Sequence, residues 1–429
     1  MPCRTIKQRA KSDRRFIRST SRSNRFILAE ITAPHVHADP DTERRRPPVN
    51  LGFVLDRSGS MAGEKIALAK QAVVQSVGRL QGDDRFAVVV YDDQIDVVIR
   101  STRATPEAKA DAITLINRID ARNQTNLAEG WLRGAEQVAL HLDSAGVNRT
   151  LLLTDGLANT GITDRDELAR HAGELRARGI QTTTFGVGAD FDEVLLQAMA
   201  NAGGGNFYYI ADALQITDYI TSEVGEALDV VARDVTLEVV TPESIVVDSL
   251  TPFPFEQRGG RTQVSLGSLV AEQVVQVVLR LNFPLGEVGR ETGAVLSLTA
   301  RDDVADDSSV SISWTYADSR TNDVQERDAE VDRAVASIFA SRARQEATAL
   351  NRAGNFPAAQ AALASVAKRI RSYAGRDAAM RALIAELERD SFELAAPMAA
   401  AAAKQMHFRA YASAKTRNFD GTAFRKPRA

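Results

Sequence analysis

The chain has 429 residues, 44% of them hydrophobic and 25% charged, with a formal net charge of −3. These values are ordinary for a soluble globular protein, and nothing in the balance calls for nucleic acid. The length predicts two or three domains, and the one cysteine, Cys3, excludes an internal disulfide and points to a reducing compartment.

Residues 1–24 read as a basic, flexible arm. Within it Ser12-Asp13-Arg14-Arg15-Phe16-Ile17 is similar to a twin-arginine export signal, but Arg18-Ser19-Thr20-Ser21-Arg22-Ser23-Asn24-Arg25 supplies no apolar stretch after it. A cytoplasmic protein is therefore expected. No segment, including alanine-rich Ala395 to Ala403, is long and apolar enough to cross a bilayer. Residues 25–48 read as a strand and linker, with alternation at Phe26, Leu28 and Glu30. Of the five histidines, His35, His37, His141, His171 and His407, the pair His35-Val36-His37 lacks the cysteine or carboxylate spacing of a zinc site and reads as surface loop residues.

Between residues 49 and 230 strands and helices alternate, which predicts a doubly wound, mostly parallel α/β sheet. The apolar run Val49 to Leu55 reads as a buried strand. Glu64 to Leu80 repeats apolar residues at helical spacing, and Phe86 to Tyr91 and Ile95 to Ile99 read as strands joined at Asp92-Asp93. Thr105-Pro106-Glu107 opens a helix ending near Asn117; Asn126 to His141 is the next. Arg149 to Thr154 and Ile180 to Gly186 read as strands around a helix at Asp164 to Arg178. Helix Phe191 to Asn201, strand Asn206 to Ile210 and helix Ala213 to Val230 complete the segment. Gly186-Val187-Gly188 and Gly203-Gly204-Gly205 lack the context of a phosphate-binding loop and read as tight turns.

Residues 231–318 change to short alternating strands, as in an antiparallel β-sandwich: Val235 to Val240, Gln263 to Leu266, Val274 to Leu279, Ala294 to Leu298 and Val310 to Trp314. The economical reading joins the strand at Arg25 to Thr32 to this sandwich, with the α/β domain inserted into it. Residues 319–395 read as a helical hairpin or bundle broken at Gly354-Asn355-Phe356-Pro357, and residues 396–429 as a basic, loosely ordered tail. Asn351 to Ala359 is similar to half of a tetratricopeptide hairpin, but one copy does not make a repeat.

The chemistry concentrates in three separated loops. The strand from Val49 stops in Asp56-Arg57-Ser58-Gly59-Ser60, Gln124-Thr125-Asn126 adds a hydroxyl, and Leu151 to Thr154 ends in Asp155-Gly156. All five side chains, Asp56, Ser58, Ser60, Thr125 and Asp155, offer hard oxygen, the ligand type that suits Mg²⁺. Taken singly, each loop could be helix capping. Together they resemble the von Willebrand factor type A family, over about Val49 to Val230, at the five positions of its metal-ion-dependent adhesion site. The family often has glycines before the threonine; this chain has Asn123-Gln124.

The resemblance implies a Mg²⁺ ion (Mn²⁺ or Ca²⁺ possible) held partly through water, and a protein partner that completes the coordination with an Asp or Glu carboxylate. Larger members, bacterial ones and the inter-alpha-trypsin inhibitor heavy chains among them, have a layout similar to the inserted one. A non-enzymatic interaction module is the expectation. The alternatives are a metal-dependent hydrolase or phosphatase, for which Lys65 is close in sequence but expected to be solvated, and an adaptor subunit of an AAA+ ATPase or chelatase-type complex. No serine-nucleophile elbow is present.

Overall fold

Basic side chains near the N-terminus are engaged in a strand, where a flexible arm was expected. In the computed structural model, which describes residues 5–35, 46–122, 125–302 and 309–426, Lys7–Ser12 (β1) pairs antiparallel with Ser23–Thr32 (β3), and Phe16–Arg18 (β2) lies between them in sequence. The Arg9 guanidinium donates to Glu30 at 2.8 Å and also meets Glu330, which Lys11 contacts at 2.8 Å. Cys3, Val36, His37 and the Asn123-Gln124 pair lie outside the described residues.

The chain then leaves this unit and forms a second one over residues 38–230. Its strands are Val49–Asp56 (β4), Arg85–Tyr91 (β5), Ile95–Arg103 (β6), Val147–Thr154 (β7), Ile180–Val187 (β8) and Gly204–Ile210 (β9). They form one sheet in the order β6-β5-β4-β7-β8-β9, parallel except for the β5–β6 pair. Strands β4 and β7 are buried at every position, as expected of central parallel strands covered on both faces. The helices are Glu64–Arg79 (α1), Pro106–Asn117 (α2), Leu127–Ala139 (α3), Arg165–Ala177 (α4), Glu193–Ala202 (α5) and Ile216–Leu228 (α6).

Helix α3 approaches the sheet closely because it presents glycines there. A Cβ on Gly134 would stand 2.1 Å from Val54 Cγ2, and one on Gly130 would stand 2.4 Å from Tyr91 Cγ. Asn126 caps this helix by accepting from the Glu129 amide. The close seating therefore fixes where the preceding residue, Thr125, begins.

From Val230–Val240 (β10) the chain returns to the first unit. Val246–Ser249 (β11), Phe255–Arg258 (β12), Arg261–Val270 (β13), Val274–Phe283 (β14), Glu291–Thr299 (β15) and Val310–Ala317 (β16) follow. Two sheets result, β1-β3-β14-β11 and β12-β13-β10-β15-β16-β2. Strand β3 pairs with β14 from Val274↔Thr32 to Phe283↔Ser23. The facing sides share one apolar core, with Ile27, Ala29, Val277 and Leu279 from one sheet and Leu237, Leu296 and Trp314 from the other.

Helices Ser319–Val324 (α7), Ala329–Arg352 (α8), Phe356–Ala374 (α9), Ala378–Glu393 (α10) and Ala400–Ala414 (α11) close the unit. Val331, Val335 and Ile338 of α8 pack on Phe26, Leu28 and Val278 of the first sheet, while α8, α9 and α10 share a core of their own. The C-terminal stretch is not a loose tail. Helix α11 buries Met406, Phe408 and Tyr411, and its Ser413 hydroxyl lies 3.1 Å from that of Ser337 on α8.

Candidate metal centre

Strands β4 and β7 are adjacent, parallel and in register to Leu55↔Leu153, so Asp56 and Asp155 emerge side by side at one end of the sheet. The strand order reverses there: β5 and β6 lie beyond β4, and β8 and β9 beyond β7. Ligands of open α/β sheets collect at such a reversal. After Asp56 the backbone makes a short 3₁₀ turn at Gly59–Met61 and enters α1 through Gly63, whose φ of 83° suits glycine.

Four of the five residues singled out by sequence form a continuous hydrogen-bonded run. The Ser58 amide donates to Asp56 Oδ1 at 2.8 Å; the Ser58 and Ser60 hydroxyls lie 3.1 Å apart; the Ser60 hydroxyl donates to Asp155 Oδ1 at 2.7 Å. Thr125 comes next to Gly156, the residue after Asp155: a Cβ on Gly156 would lie 3.5 Å from Thr125 Oγ1. Asp56, Ser58, Thr125 and Asp155 are buried, whereas Ser60 is exposed. The set thus opens to solvent on one side.

Three contributors were not legible in the motif. Thr154, read only as the last strand residue, donates its hydroxyl to Asp56 Oδ2 at 2.8 Å. Lys65, expected to be solvated, donates to Asp155 Oδ2 at 2.5 Å and to the Ser60 carbonyl at 3.3 Å. Side chains on a helix lean toward its N-terminus, and this carries Lys65 back over the Asp56–Ser60 loop. Finally, Asp92 ties the loops together: its carboxylate accepts from Arg57 at 3.1 Å and from Arg122 at 2.7 Å, and its carbonyl accepts from the Asn126 amide at 2.8 Å. Burial pushes the Asp92 carboxyl up, but the Gln94 amide and the two guanidinium groups outweigh it and hold the group below the usual range.

A divalent cation fits this donor set. Every candidate ligand atom is a carboxylate or hydroxyl oxygen, and the Asp56 carboxyl, fully buried with neutral partners in Ser58 and Thr154, is pushed up to about 6, mainly by burial. A neighbouring cation would relieve that cost. Among the described residues no cluster of three or more His, Cys, Asp or Glu side chains offers a rival metal site. Of the described histidines, His35 lies 3.9 Å from Glu272, His171 lies 3.7 Å from Glu167 and from Glu174, and His407 is buried on α11.

Comparison with known proteins identifies the fold of this region. The von Willebrand factor type A domain family matches residues 50–222. The uncharacterized protein YfbK of Escherichia coli is 31% identical over 195 residues, 45% of this chain and 34% of that protein. The uncharacterized protein sll0103 of Synechocystis is 30% identical over 264 residues, 59% of this chain and 61% of the relative. The chain therefore spans about a third to three fifths of the length of these two curated relatives. Among solved structures, a von Willebrand factor type A protein from Catenulispora acidiphila shares the fold with a TM-score of 0.71 at 19% identity, covering 91% of this chain and 96% of that one.

Proposed function

Because residues 50–222 are a von Willebrand factor type A domain, we propose that this chain is a Mg²⁺-dependent protein-binding module without catalytic turnover. Asp56, Ser58, Ser60, Thr125 and Asp155 would hold the ion, some through water, and the ion would supply an electrophilic position for an Asp or Glu carboxylate of a protein partner. The observation that carries this reading is the hydrogen-bonded run from Asp56 through Ser58 and Ser60 to Asp155, which joins loops far apart in sequence around one solvent-facing point.

The position of Lys65 gives the phosphatase reading one part it needs, a cation next to the carboxylates. Against it, Asp56 is fully buried with both oxygens engaged, by the Ser58 amide and the Thr154 hydroxyl. A nucleophile or general base must reach its substrate. Binding therefore remains the better-supported reading, and service as an adaptor to a larger ATPase assembly is a variant of it. No described helix is long and apolar enough to cross a membrane. A reducing, cytoplasmic location belongs to the same proposal and is supported only by the single cysteine.

The test is affinity for a partner captured from the source cells, measured for wild type and Thr125→Ala with Mg²⁺ and with chelator, beside an assay of p-nitrophenyl phosphate hydrolysis. Binding that needs Mg²⁺ and Thr125, without hydrolysis, is the expected result. Mg²⁺-dependent hydrolysis lost in Thr125→Ala would replace it with the enzyme reading.

A further inference from the structure

The Lys65 ammonium occupies a position that a simple oxygen-ligand site does not need. It contacts Asp155 Oδ2 at 2.5 Å, the oxygen that Ser60 leaves free, and its side chain is partly buried at 30% exposure. A Cβ on Gly188, just beyond β8, would stand 3.9 Å from Lys65 Nζ, so the ammonium lies between the start of α1 and the end of β8. The Ser60 carbonyl at 3.3 Å gives it a second acceptor within the metal loop.

We infer that Lys65 is a built-in counter-charge that weakens metal binding in order to keep the bound ion electropositive toward an incoming carboxylate. This rests on the proposed metal site. With Asp56 and Asp155 both ionised, a divalent ion would be neutralised and would exert little net attraction on another anion. The fixed ammonium cancels one of the two negative charges, so the loaded site carries one net positive charge. Because Lys65 and Ser60 engage both oxygens of Asp155, this carboxylate is also held in place before the ion arrives. Lys65 is a positioning residue in this account. It acts on the ion through charge and through Asp155.

The consequence is a trade. Removing the ammonium while keeping the side-chain length, as in Lys65→Met, should tighten the metal on the order of tenfold at low ionic strength, and added KCl should shrink that gain. Lys65→Arg, which keeps the charge, should stay close to wild type.

The experiment is calorimetric titration of Mn²⁺ and of Mg²⁺ into full-length wild type, Lys65→Met, Lys65→Gln and Lys65→Arg at low and high KCl, with metal-free melting curves confirming that each is folded. Tighter binding by the two uncharged variants, reduced by salt, is the expected result. Unchanged or weaker binding by both, with wild type binding normally, would overturn this inference and leave the metal site standing. Absence of metal binding in all four proteins would overturn the metal site and this inference together.

Discussion

The Ser60 hydroxyl donates to the Asp155 carboxylate at 2.7 Å across 95 residues of sequence. This bond exists because β4 and β7 are neighbours in a parallel sheet, so the loops that leave them must share one end. The site is thus a product of strand order. Its precision depends on how α3 and the first loop are seated against that sheet.

Helix α3 supplies a test of the seating. Gly134→Ala places a methyl within 2.1 Å of Val54 Cγ2, and overpacking of this kind should destabilise the domain by about 1–3 kcal/mol even though alanine favours helix by about 1 kcal/mol. Gly173, on α4, has nothing within 4 Å of its Cβ position. Gly173→Ala should therefore stabilise by up to about 1 kcal/mol. Opposite signs in chemical denaturation are predicted; a gain in both variants would mean that α3 is not closely packed.

Glu30 predicts a pH dependence in the other unit. Burial raises its carboxyl, but the hydrogen bonds from Arg9, Lys426 and Gln276 outweigh burial and hold it at about 2. The folded value lies below the unfolded one, so its stabilisation is complete above the ordinary glutamate range and is lost as pH falls toward 2. Arg9 and Lys426 are about half exposed, which limits the effect to about 1–2 kcal/mol. The stability difference between wild type and Glu30→Gln should be largest near neutral pH and close as pH falls from 5 to 2. A difference independent of pH would assign the effect to packing.

Strand β3 tests the inserted layout. It lies between β1 and β14 and pairs with β14 at ten positions, from Val274↔Thr32 to Phe283↔Ser23. Deletion through Thr32 should strip hydrogen-exchange protection from residues 231–317, while residues 47–229 alone should fold and melt cooperatively. Full protection of β14 without β3 would refute the dependence.

The α/β segment was legible because helical and strand periods separate cleanly there: the helix read at Glu64 to Leu80 is observed at Glu64–Arg79, and the one read at Asp164 to Arg178 at Arg165–Ala177. Strand β1 was hidden by its basic composition. Lys7, Arg9 and Lys11 recur at period two and all face outward, a charged edge strand, and that alternation was the available signal. Helix α11 was hidden because alanines, which bury little area each, make up much of its packed face. At the candidate centre the motif showed the oxygen-bearing side chains that come together, but not Thr154 or Asp92, whose roles depend on which loops meet. Lys65 was misplaced because sequence spacing does not show the backward lean of a side chain in the first turn of a helix.

The central claim, that these oxygens hold a divalent cation, is tested most directly by calorimetric titration of Mg²⁺ into wild type, Asp56→Asn and Ser101→Ala. Asp56 ends β4 at the candidate centre, whereas Ser101 lies on the edge strand β6 outside it. The account predicts a single Mg²⁺ site in wild type and Ser101→Ala that is lost or strongly weakened in Asp56→Asn, with a matching loss of the Mg²⁺-induced rise in melting temperature. Equal Mg²⁺ affinity and stoichiometry in Asp56→Asn and wild type would contradict it.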